Sequence, residues 1–102
     1  MRRGEVWWVE HPVRGRRPYL VLTREAVIPL LGKVVAVPAT RTIRGIPSEL
    51  ALSKDDGMPS ECVLNFDNVT VIRKAHFVER ICRLGPVQMA NACRALAVAL
   101  GC

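Results

Sequence analysis

Short apolar runs of four to six residues, each cut off by proline, glycine or a polar pair, recur between Glu5 and Leu84 and set what this chain can become. Such close punctuation leaves no room for the crossover helices of a parallel sheet, and many short strands indicate a small barrel or sandwich. Residues 5–10, around Val6-Trp7-Trp8-Val9, read as a first strand stopped at His11-Pro12, because proline lacks the amide that a ladder requires. The turn at 13–16 is basic, and a second strand is expected over 18–23, antiparallel to the first. Residues 24–32 form a loop with an irregular helical turn around 25–31, where Pro29 interrupts. Residues 33–37, continuous in Val and Ala, make a central third strand ended by Pro38-Ala39-Thr40.

After a basic excursion over 41–47 with Gly45 as its pivot, residues 48–52 alternate, with Leu50 and Leu52 inward and Glu49 and Ala51 outward. A polar turn at 54–57 leads to strands at 61–66 and 69–72, separated by Asp67-Asn68. A turn at 73–77 precedes a last strand at 79–84, with Ile81 and Cys82 on opposite faces. Gly85-Pro86 then opens the one helix, since proline is pre-shaped for the first helical position. Met89, Cys93, Leu96 and Leu100 form an apolar stripe widened by Ala92 and Ala99, with Gln88, Asn91 and Arg94 on the other side and Gly101 as the stop. Such a helix must pack on the barrel or on a second subunit. A chain of 102 residues is one domain with one core, residues 1–102.

Charge is uneven along this frame. Up to Arg44 there are nine Arg and Lys against three acids; from Gly45 onward six bases meet six acids, so the whole net charge of +6 belongs to the first half. A polyanionic partner follows, nucleic acid before membrane, because no basic amphipathic helix is present. No signal peptide or transmembrane run is expected, which points to the cytoplasm. Cys62, Cys82, Cys93 and Cys102 show no CxxC spacing, and the first three are expected as buried thiols rather than a disulfide framework. His11 and His76 are too far apart in sequence to indicate a zinc site, and no cofactor is expected.

The glycine and histidine signatures of dinucleotide, nucleoside-triphosphate, zincin and hydrolase sites are absent. What remains is Arg17 ahead of the second strand, Thr40 past the third, and Asp67-Asn68 after the fifth. If the sheet curls, these strand ends converge at one rim. An arginine neutralises a phosphorane-like transition state, a hydroxyl donates to a phosphate oxygen, and a carboxylate takes a proton from a ribose 2′-OH. RNA would supply its own nucleophile, so neither metal nor protein nucleophile is required. The plain alternative makes Thr40 a strand-end hydroxyl, Asp67-Asn68 an Asx turn and the arginines a solvated turn. Of Trp7 and Trp8, one should face the core and the other stack a base or serve a subunit interface. His11 is a loop residue near the basic turn, and His76 reads as structural.

The residues Arg3-Gly4-Glu5-Val6-Trp7, Arg17-Pro18-Tyr19-Leu20-Val21-Leu22-Thr23 and Val37-Pro38-Ala39-Thr40 resemble the MazF/PemK family of toxin endoribonucleases. So do Ser60-Glu61-Cys62-Val63-Leu64-Asn65, Asp67-Asn68-Val69, Arg83-Leu84-Gly85 and the helix end Ala99-Leu100-Gly101. Their order and spacing, over nearly the whole chain, carry the resemblance. It implies a mainly β fold with a C-terminal helix, a small SH3-like barrel of the CcdB/PemK type, assembled as a homodimer. Trp7, Trp8, Leu96 and Leu100, read from the strand and helix patterns, are the candidates for its interface. The resemblance also implies metal-independent, sequence-selective cleavage of single-stranded RNA, leaving a cyclic phosphate and a 5′-hydroxyl, with mRNA, rRNA and tRNA all open as targets. A MazE-like antitoxin would inhibit by laying an extended acidic segment across the dimer groove.

By position, Arg17 matches the family's catalytic arginine, Thr40 its catalytic hydroxyl, and Asp67 a carboxylate proposed as general base in one branch. His11, Arg14, Arg16, Arg41, Ser48, Asn65 and Asn68 are the further candidates for RNA contact. Two departures stand out. Asn65 occupies the position of an arginine proposed as general acid in that branch, and a neutral amide cannot donate the leaving-group proton. The turn from His11 to Arg16 is shorter than in many relatives, so cut-site preference does not carry over; Arg14, Arg16 or His11 is left to supply the acid. Cys62 stands where relatives have serine, which indicates inward packing. A non-catalytic barrel that binds nucleic acid or a peptide is the alternative of a different class.

Overall fold

The computed structural model describes all 102 residues. Seven strands form one antiparallel sheet: β1 (Glu5–His11), β2 (Gly15–Val21), β3 (Lys33–Thr40), β4 (Glu49–Leu52), β5 (Cys62–Asn65), β6 (Thr70–Arg73) and β7 (Phe77–Arg83). One helix, α1 (Pro86–Leu100), follows. The sheet runs β4-β5-β3-β2-β1-β7, with β6 also paired to β3. Strands β5 and β6 therefore share one side of β3 in succession, joined by the 3-10 turn Phe66–Asn68 that holds Asp67.

Several boundaries differ from the sequence reading, most of all at the first hairpin. β2 begins at Gly15 rather than Pro18, because a tight hairpin pairs His11 with Gly15 and Val9 with Arg17. Gly15 takes φ +76°, the left-handed geometry that closes such a turn. His11 is thus a strand residue, and its Nδ1 accepts from the amides of Val13 and Arg14, both at 3.1 Å. β3 extends through Pro38 to Thr40, and β7 starts at Phe77.

Two apolar clusters lie on the two faces of the sheet. The larger gathers Val6, Leu20, Val37, Leu52, Leu64 and Phe66 and is closed by α1. The smaller holds Val9, Tyr19, Val21, Val34, Ile72 and Phe77. Ile81 and Cys82 both pack on the larger one, not on opposite faces, because β7 shifts register against β1 between Val6 and Trp7.

The helix is rotated from the expected stripe. Ala92 and Ala95 are its buried residues, while Cys93 and Leu100 are exposed. Small side chains let the helix backbone approach the sheet, which larger residues at 93 and 100 would hold off. Gln88 and Asn91 are half-buried as well: Gln88 Nε2 donates to Asp56 Oδ1 at 3.1 Å, and Asn91 Nδ2 donates to Gln88 Oε1 at 2.9 Å. All four cysteines are free. No helix is long and apolar enough to cross a membrane.

Candidate active site

The strand register builds the site. β2 and β3 pair at Tyr19–Pro38, Leu20–Val37 and Val21–Ala36, and there the ladder stops. Pro18 and Pro38 lack the amides that would continue it. Continuing the same register by two residues sets Arg17 opposite Thr40 across strands that have parted. The gap is a groove of about 310 Å³ lined by Trp8, Arg16, Arg17, Thr40, Arg41 and Ser60, among others.

Within it the two candidate catalytic groups are unspent. Arg17 is exposed, donates no hydrogen bond and meets no carboxylate. Thr40 Oγ1 accepts from the Thr42 amide at 3.1 Å, which orients the hydroxyl and leaves its proton to donate. Arg16 is the opposite case. It is paired with Glu10 at 2.8 Å and with Glu79 at 3.6 Å, and its guanidinium lies 4.9 Å from the Trp8 ring centroid. Trp8 is accordingly the tryptophan that opens to the groove. Trp7 turns to the other face, edge-on to Phe77 with centroids 6.5 Å apart, and its Nε1 donates to Glu5 at 3.1 Å. Glu5 is buried and also holds Arg80 at 2.9 Å. Burial alone would raise its carboxyl, but the Trp7 indole, the Arg2 amide and Arg80 outweigh it and hold it below the ordinary value.

A second groove of about 390 Å³ shares Arg17 and adds Arg14, Asp67, Asn68 and Thr70. Asp67 is exposed but fixed: Ser48 Oγ donates to its Oδ2 at 2.7 Å, and its amide donates to Asn65 Oδ1 at 3.1 Å. Ser48 and Asn65 are themselves buried, each 5% exposed. The Ser48 hydroxyl and the Asn65 carbonyl oxygen both engage the Asp67 segment and so fix its carboxylate. His11 lies elsewhere, its ring 5.8 Å from that of His76 in a third groove.

The sequence reading missed Met58, Pro59 and Ser60, which wall the first groove from a loop without periodicity. Gly57 sets that loop's position. Its φ is +96°, and a Cβ there would sit 2.7 Å from Cys82 Cβ. Cys62 borders the same groove without being a nucleophile: burial pushes its thiol up, Asp56 adds to this, and Arg41 only partly opposes it. Glu49, expected outward, is half-buried, and its Oε1 accepts from the amides of Arg44 and Gly45, tying down the loop that carries Arg41. Leu96 rests half-buried against the core and Leu100 projects outward at 60% exposure.

Residues 2–100 match the family described as the PemK-like, MazF-like toxin of type II toxin-antitoxin systems. The chain belongs to this family. Among curated relatives of this PemK/MazF chain, the probable endoribonuclease MazF2 of Mycobacterium tuberculosis is 47% identical over 103 residues, covering all of both chains. The probable endoribonuclease MazF5 of the same organism is 44% identical over 98% of this chain and 93% of its own length. Among solved structures, a mycobacterial endoribonuclease in complex with its cognate antitoxin superposes with a TM-score of 0.89 at 30% identity, covering 99% of this chain and 95% of that one. The mainly β architecture with one C-terminal helix is the PemK/MazF fold.

Proposed function

We propose that this chain is a toxin endoribonuclease that cleaves single-stranded RNA by attack of the substrate's own 2′-OH. The observation that carries this reading is that one groove is lined by both the unpaired Arg17 and the Thr40 hydroxyl. The ribose 2′-oxygen attacks the adjacent phosphorus, its proton passing to the Asp67 carboxylate. The bond from phosphorus to the 5′-oxygen breaks, leaving a cyclic phosphate. The departing oxygen takes a proton from solvent. Arg17 compensates charge building on the equatorial oxygens and Thr40 Oγ donates to one of them. Arg16 is committed to Glu10 and Glu79, and His11 lies in another groove. That leaves Arg14, beside Asp67 and Arg17, to stabilise the leaving oxygen electrostatically.

The working unit is a homodimer in the cytoplasm, with Leu100 and Leu96 toward the partner protomer. The related mycobacterial endoribonuclease is in complex with its cognate antitoxin, and a cognate antitoxin of this chain would block the basic grooves with an extended acidic segment. Incubating the purified protein with long single-stranded RNA in EDTA tests the reading. Cleavage by the wild type that is lost in Arg17→Ala is the expected result; binding without products would favour a non-catalytic module.

A further inference from the structure

The third groove, about 250 Å³, is lined by His11, Lys33, Val71, Ile72, Arg73 and His76, with no carboxylate among them. Lys33 and Arg73 are direct register partners across β3 and β6. Like charges placed opposite each other on an antiparallel ladder are destabilising. Neither has a carboxylate within ion-pair distance. Two backbone amides donate to His11 Nδ1, so the ring's hydrogen sits on Nε2, pointing away from the hairpin turn. The His76 ring stands beside it, tilted by 52°. The fold thus presents a surface cluster of donors with no acid to offset it, an arrangement that suits an incoming anion.

We infer that this groove is a second phosphate site, which holds the RNA backbone away from the scissile phosphate while a base rests on an imidazole face. The identity of the ligand rests on the endoribonuclease reading; the presence of an anion site does not. Proximity supports RNA as the occupant. The first and second grooves share Arg17; the second and third share no residue, but Arg14 and His11 belong to one hairpin and Thr70 and Val71 adjoin on β6. From Thr70 to Arg73 the strand covers about 10 Å. Paired imidazole faces beside cations suit a base and its phosphate, whereas an acidic peptide would use the cations alone.

The test uses the full chain and two oligoribonucleotides carrying a 2′-deoxy sugar at the cleavage position, so that they bind without being cut. One spans only the first two grooves; the other extends several nucleotides on each side. Fluorescence anisotropy across a salt series reads both. The wild type should prefer the long oligonucleotide, and Lys33→Gln with Arg73→Gln should reduce that long-to-short preference about tenfold. The salt slope for the long one should become shallower by roughly 1.4, from two lost cations at about 0.7 each. Thermal melting checks that the double variant is folded, and removing a like-charge pair should not lower its stability.

Equal affinity of the wild type for both lengths would overturn the inference, as would an equal loss on both in the variant. So would lost affinity for an acidic antitoxin peptide with RNA binding intact, or a His76 NMR shift saturated by inorganic phosphate alone and unaltered by the long oligonucleotide. Length-dependent binding through Lys33 and Arg73 in a protein that cuts no RNA would sustain the anion site and refute the nuclease reading. Cleavage indifferent to both residues would do the reverse.

Discussion

Arg17 and Asp67 line the same groove but are held in opposite ways. Nothing in the chain engages the Arg17 guanidinium, whereas Asp67 receives a hydroxyl from Ser48 and has its backbone pinned by Asn65. The difference separates two jobs. A charge left unmet on a rigid strand is kept for a ligand, and a charge met by buried partners is being aimed. Substitution at the first should therefore destroy turnover and spare the fold. Substitution around the second should loosen the fold and blur turnover.

Four outcomes sharpen or break that contrast. The largest effect is expected from Arg17→Ala, which should lower single-turnover cleavage by about 10²–10³-fold, the range for removing one transition-state donor, with the melting temperature unchanged. A large loss of stability would show that Arg17 is held after all. Thr40→Val should cost about 10-fold or more in the same assay, as a hydrogen bond to a charged group does. If activity survived it, the hydroxyl would be a strand-end feature only.

Ser48→Ala should reverse the pattern. Chemical denaturation should show a loss of about 1.5–3 kcal/mol, the scale of one hydrogen bond to a charged group, with a cleavage defect smaller than that of Arg17→Ala. The smallest effect concerns Glu5, on the far face from the groove. Its carboxyl lies below the ordinary 4.5, so the stability it contributes is fully present above that value and is lost as pH falls through the lowered folded value. Melting curves from pH 7 to 3 should show Glu5→Gln least stable relative to wild type at neutral pH, with the two converging in acid. A gap that persists at pH 3 would mean that Glu5 acts by packing rather than charge.

The strands and their turns were legible because proline, glycine and polar pairs punctuate the chain wherever the ladder ends. The resemblance located Arg17 and Thr40, and the register then explained them, since Pro18 and Pro38 stop the pairing two residues before the two meet. Other features stayed hidden for identifiable reasons. Ser48 reaches Asp67 across 19 residues, and no periodicity announces a contact of that kind. The helix pattern gave most weight to its bulkiest apolar residues. Met89 and Leu96 do pack on the core, but the most buried contact is made by Ala92 and Ala95, where closeness to the sheet matters more than side-chain size. The proximity of His76 to His11 could not be read in the sequence because only the fold brings them together, and the Lys33–Arg73 juxtaposition exists only across the ladder.

The central claim is that Arg17 and Thr40 act on a substrate that carries its own nucleophile. Its most direct test replaces a single ribose by deoxyribose on the 5′ side of a mapped cleavage point and follows that bond in EDTA. The account predicts that the all-ribose strand is cut there to a cyclic phosphate and that the substituted strand stays intact at that bond alone. Cleavage of the deoxy-substituted bond at a comparable rate would contradict it.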